Sequence, residues 1–185
     1  MGEIYSQRID ENDIVVAVSE NWQSLAEENS GLGTCFSKNV VGASLWAHIR
    51  EPEKRHLCSL ILQKVREHHR QRTFSFRCDS PKKRSLLILN VIPHENGFVD
   101  FKSQIVKTEL GEPVELLRVD RERAKDLIKI CSMCKKIAIS ETEWEEIDIA
   151  VQEMKLFEWE VLPRITHGLC QPCFDIIMAK LDKSD

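Results

Sequence analysis

Two pairs of cysteines constrain this chain more than any other feature of its sequence. Cys131 and Cys134 form a Cys-x-x-Cys pair within "CSMCKK", and Cys170 and Cys173 form a second pair within "THGLCQPC". Each pair bends a short turn, so that both sulfurs can face one ion while backbone N–H groups support them. Two such pairs predict a four-cysteine metal site, and a tetrahedral set of thiolates favours Zn²⁺.

His167 leaves a second ligand set open. It stands three residues before Cys170. Cys131, Cys134, His167 and one of the later cysteines could therefore also complete a tetrahedron. We favour the four-cysteine set, in which the ring of His167 donates a hydrogen bond to a sulfur or a backbone carbonyl beside the site.

The segment around the two pairs is predicted to be a small, mainly helical subdomain. "SETEWEEIDIAVQEMKLF" places Trp144, Ile147, Val151 and Met154 on one helical face, and "CFDIIMAKL" predicts a closing helix. These few apolar side chains make a thin core for an independent unit. A structural zinc ion contributes on the order of 10–16 kcal/mol to folding, which would make up that deficit.

Residues 1–110 combine strand and helix patterns. A buried strand is predicted over 14–18, followed by helices over 20–31 and 41–49, with a weaker strand candidate over 34–39. "REPEKRHLCSLILQKVREHHRQ" predicts the longest helix, because Pro52 suits a first helical position and an apolar stripe follows it. Alternation then predicts strands in "TFSFRC", "SLLILNVI" and "GFVDFKSQIVKT", joined by hairpins.

The charge distribution indicates different modules. Residues 1–110 carry 15 basic and 14 acidic side chains, and residues 111–185 carry 11 and 16, so the net charges are +1 and −5. We predict an N-terminal domain over 1–110, a helical connector over 111–129 with "ELLRVDRERAKDLIKI", and a four-cysteine zinc-binding module over 130–185. The predicted fold class is α+β.

The order of the N-terminal elements resembles a PAS domain, whose antiparallel sheet is interrupted by helices between its early and late strands. "DIVVAVSENW", "NVVGASLW" and "FSFRCDSP" are similar to bacterial PAS-like sequences. The likeness covers about residues 10–110. It implies a domain that senses a ligand or docks a partner.

The cysteine segment resembles a motif at the C-terminal end of bacterial PAS and two-component signalling proteins. The matching residues are "CSMCKKI", Trp144 with Glu145 and Glu146, and "THGLCQPC", which has proline second of the two intervening residues where the motif more commonly has it directly after the cysteine. The likeness implies a signalling context and a bound metal, and it implies no reaction.

Five side chains are candidates to line a pocket in the PAS-like domain, although an ordinary apolar core would use most of them equally well: Trp22, Trp46, His56, Phe74 and Phe76. His56 lies where haem-binding PAS proteins carry an axial histidine. Its neighbours in "EKRH" are polar, so haem is not expected. Flavin is not expected either, because no light-sensing cysteine motif surrounds Cys35, Cys58 or Cys78.

A basic run raises an alternative function. Residues 64–84 hold eight Lys or Arg against two acidic residues, which could bind phosphates. The acidic C-terminal half would repel nucleic acid, so a solvated surface is favoured and a nucleic-acid-binding regulator is the second alternative.

The remaining features favour a non-catalytic, cytoplasmic signalling protein. No tract is apolar enough to span a bilayer, and the N-terminus lacks the pattern of a secretory signal. No phosphate-binding, serine-nucleophile or kinase motif occurs. We expect a protein partner or a homodimer, with a small-molecule ligand as a further candidate. The first alternative is a thiol-based redox sensor or oxidoreductase that uses the two cysteine pairs.

Overall fold

The structure, a computed structural model, describes residues 3–22, 40–49, 51–118 and 120–182. Five strands form its larger sheet: β1 (Ile4–Ile9), β2 (Val15–Val18), β3 (Arg72–Ser80), β4 (Lys83–Pro93) and β5 (Val99–Leu110). All neighbouring strands are antiparallel, in the order β2-β1-β5-β4-β3. The fold is thus α+β with an antiparallel sheet, as the sequence predicts.

Among the described residues between β2 and β3, two helices are present, namely α1 (Leu45–His48) and α2 (Pro52–His68). Pro52 occupies the first turn of α2, where its missing N–H is not needed. Leu57, Ile61 and Val65 recur at i, i+4 spacing and are buried together with Leu62. The prediction of the longest helix is confirmed.

The three late strands and their hairpins are also confirmed, whereas β1 was missed. Phe74 is buried on β3, and Phe76 and Cys78 on the same face are partly buried. In β1 only Tyr5 and Ile9 are buried, and the polar run between them obscures the alternation. Most of the predicted helix over 20–31 and the whole strand candidate over 34–39 lie outside the described residues.

The connecting helix predicted within 111–129 is wrong for the described residues. Glu115–Leu117 is a short 3-10 turn, and Leu127–Cys131 is a strand, β6. In β6 Ile128 and Ile130 are buried while Leu127 and Lys129 are exposed, which is the period of a strand. The charged part of this segment has good helix propensity. Its last residues nevertheless form β6, because they pair with β7 and β9, and tertiary contacts override local propensity.

A second sheet lies in the C-terminal region, which is not mainly helical as predicted. Its further elements are β7 (Ile137–Ala138), β8 (Trp144–Glu145), α3 (Ile147–Glu153), β9 (Arg164–Gly168) and α4 (Gln171–Asp182). The strand order is β8-β7-β6-β9, with β6 and β9 parallel. Trp144, expected on a helix, belongs to β8, and the helix begins only at Ile147.

Most of the buried apolar side chains of the described residues form two clusters. The first lies between the five-stranded sheet and α2, and it includes Ile177 and Leu181 of α4. The second joins the small sheet, α3 and the 3-10 turn at Leu116 and Leu117. The clusters therefore do not divide the chain at residue 110, since α4 packs with the N-terminal sheet. Among the described residues, no helix has the length and apolarity that crossing a membrane requires.

Candidate metal centre and the adjoining cavity

Parallel pairing of β6 and β9 brings the two cysteine pairs together. Cys131 is the last residue of β6 and pairs in register with Gly168, the last residue of β9. Parallel strands place their carboxyl ends at the same edge of a sheet. Cys134 follows in the turn after β6, and Cys170 and Cys173 lie directly before and within the first turn of α4.

The four sulfurs are close enough to bind one metal ion. The Sγ atoms of Cys131, Cys134, Cys170 and Cys173 all lie within 4.8 Å of one another. Cys134 Sγ and Cys170 Sγ, which belong to different pairs, are 3.7 Å apart. Four thiolates around a tetrahedral Zn²⁺ lie about 3.8 Å apart, given Zn–S bonds of about 2.3 Å. The donor set therefore fits a metal that prefers sulfur, and no disulfide joins any cysteine that the structure describes.

A tight backbone turn fixes the first pair. The N–H of Cys131 donates to the carbonyl of Lys136 at 2.7 Å, and the N–H of Lys135 donates to the carbonyl of Cys131 at 3.1 Å. Lys135 adopts φ +67°, a left-handed conformation that few non-glycine residues take. The turn thereby folds Cys134 back over Cys131.

Hydrogen bonds in the site favour one thiolate even without an ion. The contact with the Cys134 thiol lowers the pKa of Cys131 to about 4, against the opposing effect of burial, and backbone N–H groups, including that of Cys170, assist. The same contact, together with burial, raises the pKa of Cys134. Burial raises the pKa of Cys173 to about 12. A cation at the centre would remove the repulsion between the sulfurs.

His167 lies beside the sulfur cluster and not within it. Its Nδ1 is 3.6 Å from Oε1 of Glu51, the residue before α2. Burial lowers the pKa of His167 to about 4, and the positive charges of Lys54 and Lys135 lower it further. A neutral His167 therefore faces the N-terminal domain from the end of β9.

The sulfur cluster lies at the seam between the two apolar clusters. Met133, inside the first cysteine pair, and Leu169, next to the second, both pack against the N-terminal cluster. The N–H of Arg77 on β3 donates to the carbonyl of Met133 at 2.7 Å. The turn that carries the cysteines thus continues the hydrogen bonding at the outer edge of the larger sheet.

Ion pairs join the two regions across the same seam. Arg77 pairs with Glu146 at 3.0 Å and Arg84 with Asp148 at 2.9 Å. Both basic residues belong to the run 64–84 that could bind nucleic acid. Arg66 from the same run pairs with Asp13 at 2.8 Å. Part of the positive charge is therefore neutralised within the molecule, which reduces what is available for phosphates.

A cavity of about 250 Å³ adjoins the seam, between α1, α2 and the inner face of the larger sheet. Trp22, Phe74 and Phe76 line it, as three of the five candidate pocket residues. Trp46 and His56 are not among its lining residues: the indole N–H of Trp46 donates to Oδ2 of Asp13 at 2.8 Å, and His56 is exposed on α2.

Sequence reasoning missed two lining residues that come from the turn of the first cysteine pair. Ser132 and Met133, which separate Cys131 from Cys134, close one side of the cavity. Glu51 was missed as well, and it lines the cavity beside His167. The spacing of the cysteines explains the sulfur cluster, but no sequence pattern reveals that the residues between them face a pocket formed mainly by residues before position 104.

Comparison of the chain with protein-family models gives no match, and comparison with curated proteins gives none either.

Proposed function

We propose that this chain is a non-catalytic regulatory protein in which a PAS-like domain senses a ligand or docks a partner and a structural Zn²⁺ ion fastens the C-terminal region to it. The observation that carries the proposal is the place of the sulfur cluster. Its turn provides Met133 to the N-terminal cluster and Ser132 to the cavity wall. A change in the cavity would therefore reach the metal centre directly.

The PAS-like assignment rests on the arrangement of the N-terminal domain. Its sheet is antiparallel, and α1 and α2 interrupt the chain between β2 and β3. A cavity lies between those helices and the sheet. This is the arrangement that the likeness of "DIVVAVSENW" and "FSFRCDSP" to PAS-like sequences implies.

Zinc is proposed because four cysteines form the site. Cys131, Cys134, Cys170 and Cys173 would hold the ion, and four protein ligands leave no open position for a water or a substrate. The ion would supply a cross-link between the ends of β6 and β9 and the start of α4. Such a closed site contributes to folding and not to a reaction.

A partner protein or a second copy of the chain is the proposed receiver of the signal. Phe157 and Trp159 have exposed fractions of 80% and 40%. They border a cavity of about 640 Å³ that apolar and acidic side chains line together, among them Leu156 and Glu160. Exposed aromatic side chains of this kind are enriched in protein interfaces.

Metal content and thiol reactivity test the proposal. Protein purified without added metal should contain about one Zn per chain, and its four site thiols should resist a thiol reagent until a chelator is added. Cys170→Ser should lose the zinc, because a buried ligand is removed. Cys78→Ser, on β3 and outside the cluster, should retain it. An absorption spectrum of the same sample would reveal haem or flavin.

The opposite result would favour the redox alternative. A chain without metal that forms a reversible disulfide between Cys131 and Cys134, or between Cys170 and Cys173, would be a thiol-based sensor. That outcome would contradict the structural role of the ion.

A further inference from the structure

The cavity beside the metal centre has an apolar body. Four aromatic side chains line it: Phe74 and Phe76 of β3, Phe101 of β5, and Trp22. Leu57 and Ile61 of α2 close the opposite side. At about 250 Å³ the cavity is larger than an engineered apolar cavity that admits benzene, so it has room for a small aromatic molecule.

One end of the cavity is polar, and two polar atoms there lack hydrogen bonds. The hydroxyl of Ser132 and Oε2 of Glu51 are buried without a hydrogen bond among the described residues, and Oε2 has instead an ion-pair contact with Lys54 Nζ at 3.5 Å. Both residues line the cavity. Folded proteins leave few buried polar atoms unsatisfied, because each lost partner costs about 1–3 kcal/mol. Two such atoms at one cavity indicate a missing ligand group.

The two atoms are brought to the same end through His167 and Gly168. The N–H of Ser132 donates to the carbonyl of Gly168 at 2.9 Å. The neighbouring residue, His167, places Nδ1 at 3.6 Å from Glu51 Oε1. The serine of the metal-binding turn and the carboxylate before α2 therefore lie on either side of the end of β9.

The chemistry of this end requires a donor. Burial raises the pKa of Glu51, but its own backbone N–H and the positive charge of Lys54 together hold that pKa below its ordinary value. An ionised carboxylate only accepts hydrogen bonds. Lys54 Nζ lies 3.5 Å from Oε2 of Glu51 and balances its charge. A neutral donor therefore suits the site better than a second cation.

We propose that the cavity binds a small, neutral aromatic molecule that carries a hydroxyl or N–H group, and that this group donates to Glu51 and bonds with Ser132. Ser132 lies between two metal-binding cysteines, so the occupancy of the cavity and the retention of the metal are linked. The inference rests on the proposed function, because it names the ligand class and the regulation of the same seam. Linkage is reciprocal, so whatever the ligand does to metal affinity the metal does to ligand affinity.

Phenol and toluene are matched probes for the proposal, since they differ by one hydroxyl in place of a methyl group. Each is titrated into the metal-containing chain of residues 1–185, and binding is followed from backbone amide NMR shifts at the cavity. Phenol should bind more tightly than toluene. Ser132→Ala should weaken phenol about 5- to 10-fold and leave toluene unchanged, as expected for the loss of one hydrogen bond.

Ser59→Ala is the control variant, because Ser59 is exposed on α2 and does not line the cavity. It should bind phenol as the unmodified chain does. In a second measurement, saturating phenol should slow the transfer of zinc to a coloured chelator, and Ser132→Ala should reduce that slowing. Both variants are small-to-small changes that the fold should accept.

The outcomes separate the two proposals because zinc content is measured on the same samples. Normal zinc content with equal affinities for phenol and toluene, or with phenol binding that Ser132→Ala does not alter, overturns the ligand inference alone. Normal zinc content with phenol binding that leaves zinc transfer unchanged overturns the linkage. Absence of zinc overturns the proposed function, whatever phenol does.

Discussion

The two sheets of this molecule are built on different principles. Strands of the larger sheet run from 4 to 12 residues, and the hairpins that join β3, β4 and β5 are local in the chain. Strands of the smaller sheet have only 2 to 5 residues, and its key pair joins β6 to β9, more than 30 positions apart. A short, long-range sheet gains little from its own pairing, so it needs a cross-link at its end. The cysteine cluster lies at that end.

The smaller region also depends on the larger one. Its last helix, α4, places Ile177 and Leu181 in the N-terminal cluster, and Lys180 Nζ donates to the carbonyl of Thr73 at 2.9 Å. Ion pairs at Arg77 and Arg84 join the same surfaces. The excess of acidic residues after position 110 thus has partners on the basic hairpin of the larger sheet. The uneven distribution of charge along the sequence therefore reflects two surfaces of opposite charge that contact each other, and not two independent modules.

Leu181→Ala tests which region α4 belongs to, and it should have the largest effect. Leu181 is 1% exposed, so the substitution should lower the free energy of unfolding by about 2–5 kcal/mol. Hydrogen exchange should show lost protection in β3 and β4. Leu156→Ala, equally buried in the second cluster, should instead lower protection in β6 and α3. If Leu181→Ala lowered protection only in β6 to β9, α4 would belong to the C-terminal region and not to the N-terminal core.

Arg77→Ala should remove an ion pair inside β3 together with one across the seam. Arg77 pairs with Asp79, which is 3% exposed, as well as with Glu146. Truncation leaves a buried carboxylate without its partner, so we expect destabilisation of about 3 kcal/mol in urea unfolding.

Arg84→Ala is the matched comparison for that prediction. Arg84 and Asp148 are 40% and 62% exposed, so their pair should contribute less than about 1 kcal/mol. Equal effects of the two arginine substitutions would show that the buried Asp79 carboxylate does not depend on Arg77.

Acid should weaken the larger sheet through Asp100, with the smallest effect. The hydrogen bond from Arg8 holds the pKa of Asp100 below its ordinary value of 3.8 despite burial, and His94 assists. The unfolded chain therefore binds the proton more readily, so stability is present above pH 3.8 and is lost as pH falls through the lower, folded pKa. Between about pH 5 and pH 3, the unfolding free energy of Asp100→Asn should fall less than that of the unmodified chain. The difference between the two falls should be under about 1 kcal/mol. Equal slopes of unfolding free energy against pH for the two chains would contradict this prediction. Any metal that acid releases would leave both chains, so its effect cancels in the comparison.

Sequence patterns predicted the parts of the fold in which local periodicity and burial agree. The stripe of α2 and the alternation of β3 to β5 are such parts, because one face of each element is buried in a single core. Patterns failed for β6, where the charged residues before Ile128 favour a helix and only pairing with β9 makes a strand. They failed for β1, where Ser6, Gln7 and Arg8 interrupt the apolar alternation.

The candidate site also combines features that local sequence predicts with features that only long-range contacts create. The spacing of the cysteines predicts four sulfurs around one ion, since each pair is a local turn, and the four sulfurs do converge. The cavity wall made by Ser132 and Met133 has no local signal. It arises because the turn packs against β3, which lies more than 50 positions earlier.

The amino-acid sequence by itself determined the α+β class, the long helix and the identity of the four clustered cysteines, because these follow from periodicity and from short-range spacing. Only the tertiary structure decided that α4 completes the N-terminal core and that the cysteine turn closes the cavity. Contacts between residues far apart in the chain depend on how whole faces fit together, and no single segment carries that information.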